Sequence, residues 1–299
     1  MRGYLLDARK AYAWLGGLAF LAATCGPALA AAPVRIGWVG WSDTEIATKL
    51  AERALNDHLG QPVKLVQADI GIQFQALANG NIDLIPMVWL PNTHKAFWDK
   101  YKDHLEDLGV LYEGRIGWAV PTSVPESELR TIEDLNKPGV REKLGGTLLA
   151  SEVGNGQYKL SLKAIDAYQL KGYRLLASSE TGMLKEFERN QSRERWSVIN
   201  AWNPHWMFSR WALRYLDDPK GIFGGAEQIH AVARKGFGAE QPRGAAFFAH
   251  YSLPLADLQA LMLQAQQSSA DAVVAAYYTA NKARFDAMFN PADTASLQP

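Results

Sequence analysis

From Val34 onward, short β-rich apolar runs alternate with segments whose apolar residues recur at helical spacing, and this alternation limits the fold more than any other feature. The run 34–41, Val-Arg-Ile-Gly-Trp-Val-Gly-Trp, reads as a first strand whose glycines let the backbone approach something closely. Ser42 and Asp43 are N-cap candidates for the next segment, and Glu45 completes a capping-box spacing with Ser42. Ile46, Leu50, Ala54 and Leu55 then mark a helix that Gly60-Gln61-Pro62 ends. Residues 63–66 read as a second strand, Phe74 and Leu77 sit on a short helix stopped at Asn79-Gly80, and 82–89 reads as a third strand. Strand, helix, strand, helix, strand requires a parallel sheet with helices on its faces.

The pattern restarts after Pro121. A short helix opens at Thr131, 146–150 reads as a strand and 158–168 as a helix. A strand follows at 173–177, a helix begins at Ser179, and 196–202 is a strongly apolar strand. The tail 253–289 is helical, with an apolar stripe of Leu255, Leu258, Leu261 and Met262. No low-complexity linker separates the halves, so the chain is expected to cross between them near 115–122 and 210–230. The expectation is an α/β protein of two lobes joined by a hinge: residues 33–118 with 225–290 as lobe 1, and 119–224 as lobe 2. A cleft between hinged lobes is a preferred ligand site.

Residues 1–30 have the form of a secretory signal. Arg2, Arg9 and Lys10 precede an apolar run from Ala11 to about Thr24, and Ala28-Leu29-Ala30 is a small-x-small cleavage site. The apolar run is short of the roughly 20 residues that span a bilayer. Cys25 could carry a lipid, but the residues before it fit that modification less well than the alanine site fits cleavage. Cleavage after Ala30 would remove the one cysteine, and with it disulfides, thiol nucleophiles and cysteine-ligated metals. Losing Arg2, Arg9, Lys10 and Asp7 from 31 basic and 31 acidic residues leaves 28 against 30. A nucleic-acid partner would require a basic surplus, so none is expected.

Ten tryptophans are many for 299 residues. Three of them share a context at the end of an expected strand beside a turn: Trp41 before Ser42-Asp43, Trp89 before Leu90-Pro91, and Trp202 before Asn203-Pro204. In open parallel sheets, ligands bind outside the carboxyl ends of the strands, so these rings would converge on the cleft. A permanent cation without N–H donors cannot be held by hydrogen bonds. Indole faces can hold it, at about 0.5–2 kcal/mol each when desolvated. A buried carboxylate would lose much of its attraction to its own desolvation.

The segments Gly40-Trp-Ser-Asp43, Val88-Trp-Leu-Pro-Asn-Thr-His94, Leu105-Glu-Asp-Leu-Gly109, Gly154-Asn155, Ser178-Ser-Glu-Thr-Gly-Met183, Trp202-Asn-Pro-His-Trp-Met-Phe208 and Leu216-Asp-Asp-Pro-Lys-Gly221 occur in that order. Through them the chain resembles the substrate-binding proteins of glycine betaine/choline ABC transporters, from Val34 to about Leu263. The resemblance implies a two-lobe periplasmic-binding-protein fold that closes on a quaternary-ammonium solute. It also implies a monomer in the periplasm that delivers the solute to a membrane ABC permease, with no cofactor and no catalysis. By the same resemblance Trp41, Trp89 and Trp202 form the aromatic box. Asp43 is the contact to a ligand hydroxyl, and Asn155 is a polar contact from lobe 2. Two positions depart from the pattern. Ile116 stands where some choline-binding members have a tyrosine, so a fourth wall would have to come from Trp118 or Tyr251. Tyr251-Ser252 replaces a Phe-His pair of betaine-binding members, which places His250 out of register.

Other candidates read as structural. His205 after its proline turn suits packing or capping, and Trp206 and Trp211 suit packing of the lobes. His94 and His104 lack the spacing of a zinc pair, so no metal is expected. The glycines form neither a dinucleotide fingerprint nor a phosphate loop, and there is no nucleophile elbow. The competing class is an exported enzyme acting on a choline-like substrate, with Asp43 and His205 as its only evident catalytic candidates.

Overall fold

The computed structural model describes residues 32–289, so the expected signal segment, Cys25 and the last residues lie outside the described part. The first half alternates as expected: β1 (Val34–Trp38), α1 (Ser42–Leu59), β2 (Val63–Gln67), α2 (Ile70–Ala78), β3 (Leu84–Leu90) and α3 (Lys95–Tyr101). β1 pairs in parallel with β2 and β3. A 17-residue strand, β4 (Leu105–Pro121), then runs on into the second half. There follow α4 (Val140–Lys143), β5 (Thr147–Ala150), α5 (Gly156–Ala167), β6 (Arg174–Ala177), α6 (Glu180–Gln191), β7 (Ile199–Asn203), α7 (Met207–Arg210) and β8 (Leu213–Tyr215). The chain returns through β9 (Glu227–Arg234) and ends in α8 (Phe237–Glu240), α9 (Pro242–His250), α10 (Leu255–Ala265), α11 (Ala270–Ala280) and α12 (Lys282–Ala287).

The described strands follow the order β2-β1-β3-β9-β4-β7-β5-β6, with β8 on the edge of β4. β4 joins two sheet halves: from Leu105 to Gly114 it pairs with β9, and from Arg115 to Ala119 with β7. β5 lies parallel to both β6 and β7. This is the expected α/β two-lobe architecture. No described helix is long and apolar enough to cross a membrane.

Local chemistry follows the residues closely in most places. Gly37 is required because a Cβ there would lie 1.9 Å from Gln73 Oε1, and the Gln73 amide donates to the carbonyls of Trp38, Val66 and Ala68. Thr131 and Asp134 form a reciprocal capping box at the 3-10 turn Ile132–Asn136. Ser179 caps α6 through a bond from Gly182 N–H.

The start of α1 differs from expectation. Its N-cap is Trp41, with no side-chain cap, and Ser42 is already helical. Glu45 pairs with Lys49 at 2.9 Å instead of closing a capping box. The Asp43 carboxylate turns inward, and Ser42 donates to a carboxylate 138 residues away. The expected strand 196–202 also shifts to Ile199–Asn203, because Ser197 and Val198 are buried without belonging to a strand.

Candidate functional site

A narrow cavity of about 30 Å³ lies at the carboxyl ends of the strands, lined by residues of both sheet halves. Trp41 follows β1, Trp89 is the penultimate residue of β3 and Trp202 that of β7, and all three border the cavity with Asn155, which follows β5. Ile116 also borders it, in register with Trp202 on neighbouring strands. Each indole is held by its neighbours. Trp41 Nε1 donates to Glu152 Oε2 at 3.2 Å, and its ring stacks on His94 with centroids 6.2 Å apart. Trp202 Nε1 donates to Asp43 Oδ1 at 3.2 Å, and its ring meets His205 edge to face at 4.4 Å. Trp89 lies against Gly114, where a Cβ would stand 2.5 Å from its Cη2 and Cζ3.

The polar part of the lining is neutral. Trp89 N–H donates to His94 Nδ1 at 3.0 Å, which leaves the ring proton on Nε2. Burial, helped by the Lys159 ammonium, lowers the His94 pKa to about 3, so the imidazole carries no charge. Asn155 caps α5: its Oδ1 accepts from Tyr158 N–H at 2.7 Å, while Nδ2 donates to Ser151 and Glu152. Gln157 donates to the carbonyls of Gly117 and Ala201. The halves approach closely at Gly156, where a Cβ would stand 2.1 Å from the Thr93 carbonyl oxygen. Glu227 fixes the Thr93 turn by accepting from the N–H groups of Asn92 and Thr93 and from the Thr93 hydroxyl. No residue lining this cavity is an acid, a lysine or an arginine. Such a chamber suits a compact cation with apolar methyl groups.

Comparison with known proteins gives this chamber its context. Residues 32–281 match the family described as the substrate binding domain of ABC-type glycine betaine transport systems. The chain belongs to this family. Among solved relatives, lactococcal OpuAC in a closed conformation complexed with glycine betaine is 29% identical, with a TM-score of 0.79 over 86% of this chain and 99% of that one. The glycine betaine, L-proline-binding protein of Borrelia burgdorferi is 27% identical, with a TM-score of 0.80 over 87% of this chain and 100% of that one. The glycine betaine/carnitine transport binding protein of Listeria monocytogenes is 30% identical over 130 residues. That alignment reaches 43% of either protein, less than half the length of this curated relative.

Within this binding-protein fold, four of the five expected site residues, Trp41, Trp89, Asn155 and Trp202, surround one cavity. Asp43 does not border it. Its carboxylate is fully buried, accepting from Tyr112 Oη at 2.8 Å and from Trp202, and burial raises its pKa to about 6 despite these bonds. Neither proposed source of a fourth wall supplies one. Trp118 is buried elsewhere with Nε1 on Ser161 and Asn200, and Tyr251 donates to the Ala47 carbonyl. His250 bonds within its own helix, to the Ala246 carbonyl. The sequence reading missed His94, Thr93, Ser151 and Gln157 as lining residues. His94 was considered only as a metal ligand, although it lies five residues after a cage tryptophan and inside the same recognised segment.

Proposed function

We propose that this chain captures glycine betaine, choline or a related quaternary-ammonium solute for an ABC importer, with the methylated nitrogen among Trp41, Trp89 and Trp202. The observation that carries the reading is a cavity with three indoles on its walls and no ionised side chain in its lining. Ring quadrupoles then supply the attraction, about 0.5–2 kcal/mol per face. An ammonium ion would enter less readily, because its N–H groups would lose water without gaining acceptors. The N-terminal turn of α5 at Gly156 and Gln157, with the His94 Nε2 proton, gives the opposite end of the solute a set of donors.

The working unit is two lobes, 33–118 with 225–290 against 119–224. The switch of β4 from β9 to β7 after Gly114 supports a crossing near the expected position. The protein acts as a monomer in the periplasm after removal of residues 1–30, and its closed form docks on a membrane permease. It performs no catalysis. Asp43 and His205, the two candidates for an enzyme, are fully buried and stand outside the cavity lining. Calorimetric titration with glycine betaine, choline, carnitine and proline betaine tests the assignment. At least one should bind with a dissociation constant well below a millimolar, and the absence of any such binding refutes it.

A further inference from the structure

The N-terminus of α1 carries Trp41 and Ser42, yet it has no side-chain cap of its own. Four N–H groups at a helix start lack helical partners, and a carboxylate there is favoured by both hydrogen bonding and the helix dipole. Here the carboxylate comes from the other sheet half. Glu180, the first residue of α6, accepts from Ser42 N–H at 2.9 Å through Oε2 and from the Ser42 hydroxyl through Oε1. Trp206 Nε1 donates to Ser42 Oγ at 3.1 Å. His205 accepts from Met207 N–H through Nδ1 and so donates from Nε2 to Glu180 Oε1 at 3.1 Å. Glu152, which orients the Trp41 indole, also accepts from Glu180 N–H at 3.3 Å. Burial raises the Glu180 pKa, but His205 and the two Ser42 bonds outweigh it and hold the carboxyl below its ordinary range. The group is therefore an ionised, nearly fully buried acid whose partners come from both halves of the molecule.

We propose that Glu180 is a positioning residue for solute capture: it caps α1 only when the halves are closed, and so sets how long the solute stays in the cage. This rests on reading the aromatic cavity as the solute site. Glu180 does not border that cavity. Its effect reaches the cage through Ser42 and the adjacent Trp41. Opening the cleft parts Ser42 from Glu180 and leaves both the helix start and the acid to water. The closed arrangement thus carries charge-assisted bonds that the open one lacks, and these are about twice as strong as neutral ones. Because solute enters before closure, the bonds act on dissociation far more than on association.

The test is stopped-flow tryptophan fluorescence of the full chain with choline and with glycine betaine as probes, on wild type, Glu180→Ala, Glu180→Gln, Ser42→Ala and the double variant Glu180→Ala/Ser42→Ala. Glu180→Ala should raise the dissociation rate about tenfold, with the association rate within about twofold. Glu180→Gln, which keeps the shape but not the charge, should raise it about fivefold, and Ser42→Ala about threefold. The double variant should exceed Glu180→Ala by less than the threefold effect of Ser42→Ala alone, since the Ser42 hydroxyl has lost Glu180 and keeps only the Trp206 bond. Unchanged dissociation in Glu180→Gln and Ser42→Ala overturns the proposal. So does a fall in the number of binding sites with the dissociation rate unaltered, because that is the mark of a purely structural role. Wild-type protein that binds neither probe refutes the solute reading, whereas wild-type binding with no Glu180 effect refutes only this inference.

Discussion

Two neighbouring regions of this molecule handle charge in opposite ways. The cage formed by Trp41, Trp89 and Trp202 is lined by indoles, amides, hydroxyls and a neutral histidine. Immediately behind it, Ser42, Glu152, Glu180 and His205 form a network around carboxylates, and Asp43 lies buried against the back of Trp202. The cage offers a permanent cation no counter-ion in contact, while the carboxylates bond to the protein. The difference follows from desolvation. A carboxylate facing the cavity would have to shed its water whenever a solute displaced it, whereas one fixed to backbone and indole N–H groups is already compensated. On the proposed reading, selectivity for methylated nitrogen and firm closure fall to different residues.

This division can be broken at the cage first. Trp89→Ala or Trp202→Ala should weaken binding of the preferred solute by about 30-fold or more, roughly 2 kcal/mol, as measured by calorimetry. Affinity within twofold of wild type in both variants would return the rings to the core. Gly156→Ala comes next, with an expected loss of about tenfold. Its Cβ would meet the Thr93 carbonyl oxygen at 2.1 Å, so the halves cannot close fully, although the melting temperature of solute-free protein should stay within about 2 °C. Equal losses of affinity and stability would place the defect in folding instead.

Asp43 sharpens the comparison from the charged side. Its folded pKa, about 6, lies above its ordinary value of 3.8, so the protonated form is favoured by folding. Its ionisation therefore removes stability as pH rises from about 4 through 6, and none is removed below that window. The melting temperature of Asp43→Asn relative to wild type should rise between pH 4.5 and 7.5, as read by calorimetric scans. A constant difference would mean that Asp43 titrates normally. The same substitution should weaken choline and glycine betaine alike, by about fivefold, since Asp43 supports Trp202 instead of meeting a ligand hydroxyl. A loss confined to choline contradicts that role. The smallest effect concerns salt. Raising sodium chloride from 0.05 to 0.5 M should change affinity by less than about twofold, because no carboxylate lines the cavity and screening has little to act on. A tenfold loss would reveal a counter-ion in the cage.

The parts of this arrangement that the sequence reveals are those with local causes. Strand and helix periodicity places Trp41, Trp89 and Trp202 at strand ends, and within each half the parallel pairing of β1 with β3 and of β5 with β7 aligns those ends. The helix starts at Thr131 and Ser179 are visible for the same reason, since the partner of each cap lies three residues away. The start of α1 is misread because capping rules look for a nearby partner, and the actual partner of Ser42 is Glu180. Nothing in the local pattern marks Glu180 as buried, since a glutamate in a first helical turn is ordinarily solvated. Asp43 is legible as important but not as a support: its partners Tyr112 and Trp202 are brought to it by the fold alone.

β4 is the strand that both sheet halves share, and its change of partner falls between Gly114 and Arg115. On the proposed two-lobe reading, a rotation of one half against the other would twist the chain at those residues. Gly114 is also the floor on which the Trp89 ring rests. On the proposed two-lobe reading, one point of flexure and the seat of one indole share a piece of backbone, so opening there would tilt part of the chamber's lining.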